Sequence, residues 1–267
     1  MKYIYGPVKS RRIGYSLGLS LVPYKLCNYD CIYCQLGHTT KKTTQRKEYI
    51  KIKDILTELK SFVRTPDFKN MHIDYITLSG TGEPLLNSKI SLLIKQIKEI
   101  TPIPIALITN AYFLSRKDIR GEILDVDLII PSLDAIDKDT YVAIDKPEGD
   151  GLATDSQSYK PEGDGLATDS QSYKPEGSGS VESIIDGLVN LRREFKGKIY
   201  LEVMVIKGIN DKIDNFKKLN DLLVKIKPDK IHLNTPKRCA SQVGVLAPDK
   251  NTLRKIKNIL GANCEVV

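Results

Sequence analysis

The chain has 267 residues, of which 41% are hydrophobic and 28% charged, and a formal net charge of +8. This composition is that of a globular protein. No window approaches the roughly 20 apolar residues of a membrane-spanning helix, and the basic start lacks the apolar stretch of a secretory signal. Five irregularly spaced cysteines exclude a disulfide framework and favour the reducing cytoplasm. The positive charge favours anionic partners such as RNA, and it is equally compatible with a solvated surface.

Short aliphatic and β-branched runs alternate with amphipathic stretches along the chain. Strands are predicted at 16–24, 73–80, 103–110, 126–135, 198–208 and 230–236. Helices are predicted at 52–63, 88–100, 181–195 and 214–226, with a shorter one at 136–144. This alternation predicts an α/β fold in which parallel strands are joined by right-handed crossovers, as a wound sheet or a barrel of six strand and helix units.

One segment does not belong to this pattern. The sequence KPEGDGLATDSQSY occupies 146–159, repeats unchanged at 160–173 and begins again at 174. It is too poor in apolar residues to repay ordering, so we expect a flexible surface insertion at about 146–179. It is either a lid or docking strip, or a duplication in a loop that tolerates change, and we favour the second interpretation.

Three cysteines form a C-x-x-x-C-x-x-C motif directly after the first predicted strand. Cys27, Cys31 and Cys34 are close enough in sequence for one loop to turn all three sulfurs toward a single soft metal centre. A structural zinc ion would need a fourth ligand, for which His38 is the nearest candidate. A 4Fe-4S cluster held by three thiolates keeps one iron open, which is what chemistry at a metal requires.

The sequence CNYDCIYC resembles the cluster motif of the radical S-adenosylmethionine (SAM) superfamily. SGTGEP, after the second predicted strand, resembles that family's Gly-Gly-Glu stretch, with Thr81 in place of a glycine. The opening segment through Cys27 also resembles iron–sulfur oxidoreductases placed near the wyosine-forming tRNA enzymes. The resemblance implies a partial parallel (β/α)6 barrel, a 4Fe-4S cluster, SAM as cofactor and an electron donor such as flavodoxin or ferredoxin. Cys27, Cys31 and Cys34 would bind the cluster, and SAM would contact Tyr33, Gly80, Thr81, Gly82, Glu83, Asn110, Ser132, Asp134, Ile206 and Gly208.

Parallel strands explain how these scattered residues would meet. In a parallel barrel the carboxyl ends of all strands face one rim, where the cysteine loop, Glu83 and Asn110 would converge. Glycines there let the backbone approach a ligand closely, and the Glu83 carboxylate can pair with an ammonium group. The barrel would span residues 1–267 as one domain carrying the insertion.

The remaining polar residues give weaker indications. Glu202, Lys207, Asn234 and Cys239 are further candidates for the rim, where a thiol would donate hydrogen to a product radical; singly, each is more often a barrel-filling or surface polar group. Cys264 is interpreted as an incidental thiol. Lys9, Arg11 and Arg12 form a basic patch that contacts an RNA phosphate or a substrate carboxylate, or else belongs to a solvated extension or an arm packed on the barrel bottom.

Three functions remain open from the sequence. The first is a radical SAM enzyme that modifies an RNA base, and the second is one that modifies a peptide. The third is a non-catalytic zinc- or nucleic-acid-binding protein, against which SGTGEP argues because a zinc site does not need it.

Overall fold

The strands of this protein form one curved, mostly parallel sheet. A computed structural model describes residues 1–148 and 179–267. The strands in those ranges are β1 (Ile4–Ser10), β2 (Gly14–Ser20), β3 (Leu26–Cys27), β4 (Lys41–Lys42), β5 (Tyr75–Ser79), β6 (Ile105–Thr109), β7 (Leu128–Pro131), β8 (Lys198–Met204), β9 (Lys230–Asn234) and β10 (Cys264–Val266). The main sheet has the order β1-β2-β5-β6-β7-β8-β9-β10, and β3 pairs separately with β4.

The six central strands confirm the predicted partial barrel. From β2 to β9 every neighbouring pair is parallel. At one edge β1 pairs with β2 in the antiparallel direction, and at the other edge β10 extends the sheet in parallel with β9. The two edges do not pair with each other, so the barrel is open on one side.

Helices cover the outer face of the sheet. They are α1 (Ile52–Phe62), α2 (Pro66–Asn70), α3 (Ile90–Ile100), α4 (Lys117–Glu122), α5 (Lys138–Asp145), α6 (Val181–Glu194), α7 (Ile213–Ile226) and α8 (Lys250–Leu260). Alternate residues of each strand, such as Leu17, Leu78 and Leu201, pack with buried helix residues in the main core. This confirms the five predicted helices, while α2, α4 and α8 were not predicted. No helix in the described ranges has both the length and the apolar character needed to cross a bilayer.

The opposite residues of each strand face the inside of the barrel, which we call the lumen. Its floor is apolar and contains Ile13, Ala106, Leu128 and Ile130. Because Ile13 belongs to the turn between β1 and β2, this turn closes the bottom of the barrel. Of the three basic residues that precede Ile13, Lys9 and Arg11 are exposed and Arg12 is half-buried.

The predicted insertion lies almost entirely outside the residues that the structure describes. Residues 149–178 lie outside the described part of the chain, so the expectation of a flexible loop at 146–179 is not tested.

Candidate cofactor site

The three cysteines lie on one loop at the carboxyl end of the barrel strands. Cys27 ends β3, and Cys31 and Cys34 follow in a segment without regular secondary structure. Each sulfur meets a side chain from a different part of the chain. The Sγ atom of Cys27 lies 3.6 Å from the Asn110 amide nitrogen, that of Cys31 lies 3.2 Å from a carboxylate oxygen of Asp145, and that of Cys34 accepts a hydrogen bond of 3.1 Å from the Lys25 ammonium.

Burial keeps the Cys27 and Cys31 thiols protonated without a cation. It raises the pKa of Cys27 to about 12, and the nearby Glu83 charge adds to the rise. Burial and the Asp145 carboxylate raise the pKa of Cys31 well above its usual value. A soft metal centre supplies the positive charge that stabilises buried thiolates. The three cysteine sulfurs therefore fit a group with positively charged metal atoms, such as the irons of an iron–sulfur cluster.

The start of the cysteine loop is attached to the end of β5 by backbone contacts. The Lys25 N–H donates to the Thr81 carbonyl at 2.6 Å, and the Glu83 N–H donates to the Leu26 carbonyl at 3.2 Å. Between them, a Cβ atom on Gly82 would lie 1.9 Å from the Leu26 carbonyl oxygen. Only glycine permits this approach. We call these contacts of Thr81, Gly82 and Glu83 with Lys25 and Leu26 the rim clip.

Glu83 joins the rim clip to the next strand. Its carboxylate is buried and accepts hydrogen bonds from the Leu85 N–H, the Thr109 hydroxyl and the Asn110 N–H, at 2.8 to 3.0 Å. Burial raises the Glu83 pKa to about 7, and these hydrogen bonds oppose the rise. A carboxylate has about four acceptor positions, so three bonds leave one for a ligand.

Asn110 brings a second amide to the cysteine loop. Its side-chain nitrogen donates to Asn28 Oδ1 at 2.9 Å. The Asn28 side chain is fully buried beside Cys27, and its Nδ2 atom has no hydrogen-bond partner among the described residues. An unpaired buried donor is costly, so this atom is suited to a bound group with acceptor atoms.

The structure also brings Tyr33, Asp134 and Ser132 together. The Tyr33 hydroxyl donates to one Asp134 carboxylate oxygen, and the Met204 N–H donates to the other at 2.7 Å. Burial raises the Asp134 pKa to about 7, against both hydrogen bonds. Asp134, Ser132 and Asn110 line one cleft with residues that were not predicted, Tyr29 and Asp145 among them.

The two predicted residues beyond β8 differ in position. Ile206 is buried and packs in a cluster with Ile32, beside Tyr33 of the cysteine loop. Gly208 lies in an exposed turn with a φ of 75°, and among the described residues no atom beyond its chain neighbours lies within 4 Å of the position a Cβ would take. Gly208 is therefore not part of the hydrogen bonds described above for the cysteine loop, Glu83 and Asp134.

Sequence reasoning missed Lys25, Asn28 and Asp145. Lys25 is buried although it is a lysine, and Asp145 ends α5 at a distance of 114 residues from its partner Cys31. Burial and the charge of Asp134 raise the Asp145 pKa well above its usual value. Lys25 and Asn28 directly flank the Leu26–Cys27 pair, and this proximity to Cys27 could have indicated them from the sequence. No feature of the sequence indicated Asp145.

The zinc hypothesis is not supported by the geometry. The side chain of His38 is 65% exposed and lies 3.3 Å from an Asp30 oxygen rather than beside the sulfurs. In the described ranges no three His, Cys, Asp or Glu side chains are arranged around a single ion. Three thiolates of an iron–sulfur cubane bind different iron atoms, so they do not need that arrangement.

Comparison with known proteins gives the family. The model of the Radical SAM superfamily matches residues 21–219. A Brachyspira hyodysenteriae protein named GTPase Obg is 36% identical over 99% of this chain, which spans 34% of that protein. A UPF0026 protein of Methanocaldococcus jannaschii is 31% identical over 98% of this chain and 74% of its own length. The name GTPase belongs to a much longer protein, and the phosphate-binding sequence G-x-x-x-x-G-K-[ST] does not occur in this chain.

Two solved structures show the same fold at low sequence identity. A radical SAM methyltransferase from Sphaerobacter thermophilus has a TM-score of 0.64 and 17% identity, and it covers 94% of this chain and 65% of its own. TYW1 with a lysine-pyruvate adduct bound has a TM-score of 0.61 and 17% identity, with coverages of 93% and 74%. The non-catalytic zinc or nucleic-acid-binding alternative is therefore wrong. The chain belongs to the radical SAM superfamily and is an enzyme whose cofactors are a 4Fe-4S cluster and SAM.

Proposed function

We propose that Cys27, Cys31 and Cys34 each bind one iron of the cluster within a single barrel domain of residues 1–267. The observation that supports this is that all three sulfurs lie on one loop at the rim, each beside a polar side chain. When bound and reduced, the cluster supplies the electron that cleaves SAM and yields a 5′-deoxyadenosyl radical. The protein's own task is to orient SAM, to hold the substrate and to exclude water.

The SAM site consists of the predicted rim residues. The free acceptor position of Glu83 and the backbone of Gly80, Thr81 and Gly82 suit the ammonium group. The unpaired Asn28 amide and Asn110 suit acceptor atoms. The remaining proposed contacts are Tyr33, Ser132, Asp134, Ile206 and Gly208, of which Ile206 offers an apolar surface to a flat ring.

An RNA base is the substrate that we favour over a peptide. Exposed basic side chains, which we call the basic rim, lie beside the cysteine loop: Lys41, Lys42 and Arg238. Lys42 pairs in the sheet with Cys27, and Arg238 contacts Gln35, the residue after Cys34. Positive charge at the mouth of a site attracts a phosphate backbone. The electron donor is flavodoxin or ferredoxin, and the reaction takes place in the cytoplasm, where thiols stay reduced.

Replacing any of the three cysteines should remove the cluster. We expect Cys27→Ala, Cys31→Ala and Cys34→Ala to lose most of the roughly four irons per chain and all formation of 5′-deoxyadenosine, because each thiolate supplies one protein bond to iron. Iron analysis and chromatography after anaerobic reconstitution measure both. Cys239→Ala, at an exposed thiol, is the matched control. Equal iron in Cys27→Ala and the wild type would contradict the assignment.

The substrate class is tested by stimulation of SAM cleavage. With the reduced enzyme we expect small cellular RNAs to raise the rate of 5′-deoxyadenosine formation, and a tryptic peptide mixture not to raise it. The RNA effect should fall steeply between about 50 and 200 mM salt, because phosphate contacts release counterions. The variant pair Lys41→Ala and Lys42→Ala should weaken it. Stimulation by peptides alone would favour the second substrate class.

Lys25 should tune the cluster. An ammonium that donates to a sulfur bound to iron stabilises the additional negative charge of the reduced cluster. We therefore expect Lys25→Met to retain iron and to shift the midpoint potential to a more negative value, measured by a redox titration followed by electron paramagnetic resonance. Lys42→Met, which removes an exposed charge, is the control. Identical potentials for Lys25→Met and the wild type would contradict this role.

A further inference from the structure

Within the barrel, the lumen contains an ion pair that is not among the proposed cofactor contacts. Arg12, from the turn that closes the barrel bottom, reaches Glu202 on β8, with 2.5 Å between Nη1 and Oε2. Glu202 also accepts a hydrogen bond of 3.3 Å from the Asn234 amide on β9. Tyr200 packs in the apolar floor and Met204 packs beside the cysteine loop. Since side chains alternate along a strand, Glu202 faces the lumen between them, and its backbone pairs with that of Ser132 just beyond β7.

Arg12 extends across the lumen. Burial raises the pKa of the Tyr5 hydroxyl on β1, while its hydrogen bond with Ser79 and the positive charge of Arg12 oppose this rise. Arg12 is therefore near Tyr5 on one side of the barrel and in contact with Glu202 on the other. Its side chain is 27% exposed, so solvent reaches part of it.

The guanidinium of Arg12 is only partly used. Elsewhere in this protein a buried arginine binds a glutamate through two nitrogens, as in Arg46 with Glu122 and Arg120 with Glu194. Arg12 contacts Glu202 through Nη1 alone, and its Nε and Nη2 atoms have no partner within residues 1–148 and 179–267. One planar edge with parallel donors is thus left, which matches the geometry of a carboxylate or a phosphate.

A second residue of the lumen, His232, also has nitrogen atoms without a hydrogen-bond partner among the described residues. His232 faces the lumen from β9, is fully buried, and packs edge-on against Tyr200. Neither ring nitrogen has a hydrogen-bond partner in the part of the chain that the structure describes. Buried polar atoms are rarely left unpaired, so an additional polar group bound in the lumen would account for both residues.

We propose that Arg12, held in place by Glu202, binds an oxyanion of the substrate, a carboxylate or a phosphate, in the lumen. This rests on the proposed function, because it assumes that the substrate enters the lumen from the cofactor rim. The anionic group of the substrate then lies beside Arg12, and the C–H bond that reacts lies nearer the cysteine loop. The basic rim binds the rest of the substrate.

The test is calorimetric titration of the cluster-loaded, SAM-saturated and unreduced enzyme with inorganic phosphate and with acetate. SAM is present so that its own carboxylate site is filled. We expect Arg12→Gln to weaken binding about ten-fold or more, because it removes the charged donor pair. Glu202→Gln should instead tighten binding, since it removes a carboxylate that competes for the guanidinium. Arg11→Gln, an equal change of charge at an exposed neighbour, should bind like the wild type.

The outcomes separate the possible roles. Arg12→Gln leaves Glu202 buried without a cation, which can prevent folding. In that case the double variant Arg12→Gln with Glu202→Gln is titrated instead, and we expect the same loss of anion affinity. The anion that binds more tightly identifies the group on the substrate. No binding of either anion by the wild type, or equal binding by the wild type and the Arg12 variants, would overturn the proposal. Failure of the wild type to load iron or SAM is observed before any anion is added and counts against the proposed function instead.

Discussion

The cofactor site depends on one close backbone contact, the rim clip. Two hydrogen bonds join Thr81 and Glu83 to Lys25 and Leu26, and Gly82 permits them because it has no Cβ. The Glu83 carboxylate accepts a hydrogen bond from the Asn110 N–H, and this bond connects the rim clip to the end of β6. Thus the first cysteine, the end of β5 and the end of β6 have a fixed relative position before any cofactor binds. Such preorganisation reduces the entropy lost on binding.

Polar groups lie both at the rim and in the lumen of the barrel. The rim has buried carboxyl groups with raised pKa values, Glu83 and Asp134, next to the cysteine loop. The pair of Arg12 and Glu202 lies in the lumen, where the Glu202 backbone pairs with that of Ser132, and the floor is apolar. In the function proposed above, a radical generated at the rim would meet a substrate whose anionic group is bound by Arg12. The barrel walls keep water away from the reacting carbon.

Sequence periodicity was sufficient for the central part of the fold. Buried parallel strands are continuous apolar runs, and the helices that cover them have one apolar face, so both are recognisable without tertiary information. The strand β1 was missed because its sequence IYGPVKS is mostly exposed and contains a proline. Helix α8 was missed because it buries little beyond Ile256 and Leu260 and is otherwise basic.

Local sequence patterns likewise revealed only some of the residues of the candidate site. Cys27 was found from the spacing of the cysteines, whereas Gly82, Asn110 and Asp134 were identified from the family resemblance. The parallel topology then predicted that Gly82 and Asn110 lie near the cysteine loop. Asp145 and the pairing of Arg12 with Glu202 arise from contacts between distant segments, which no local pattern records. Residues of this kind are found only from the folded chain.

The substitution Gly82→Ala tests the central role of the rim clip most directly. Gly121→Ala is the matched control, because its added Cβ meets no atom of the described residues within 4 Å apart from its own chain neighbours and helix backbone. We expect Gly82→Ala to keep the circular dichroism of the wild type but, after anaerobic reconstitution, to bind much less than the roughly four irons per chain of a complete cluster. A Gly82→Ala protein with the full iron content of Gly121→Ala would contradict the central role of the rim clip.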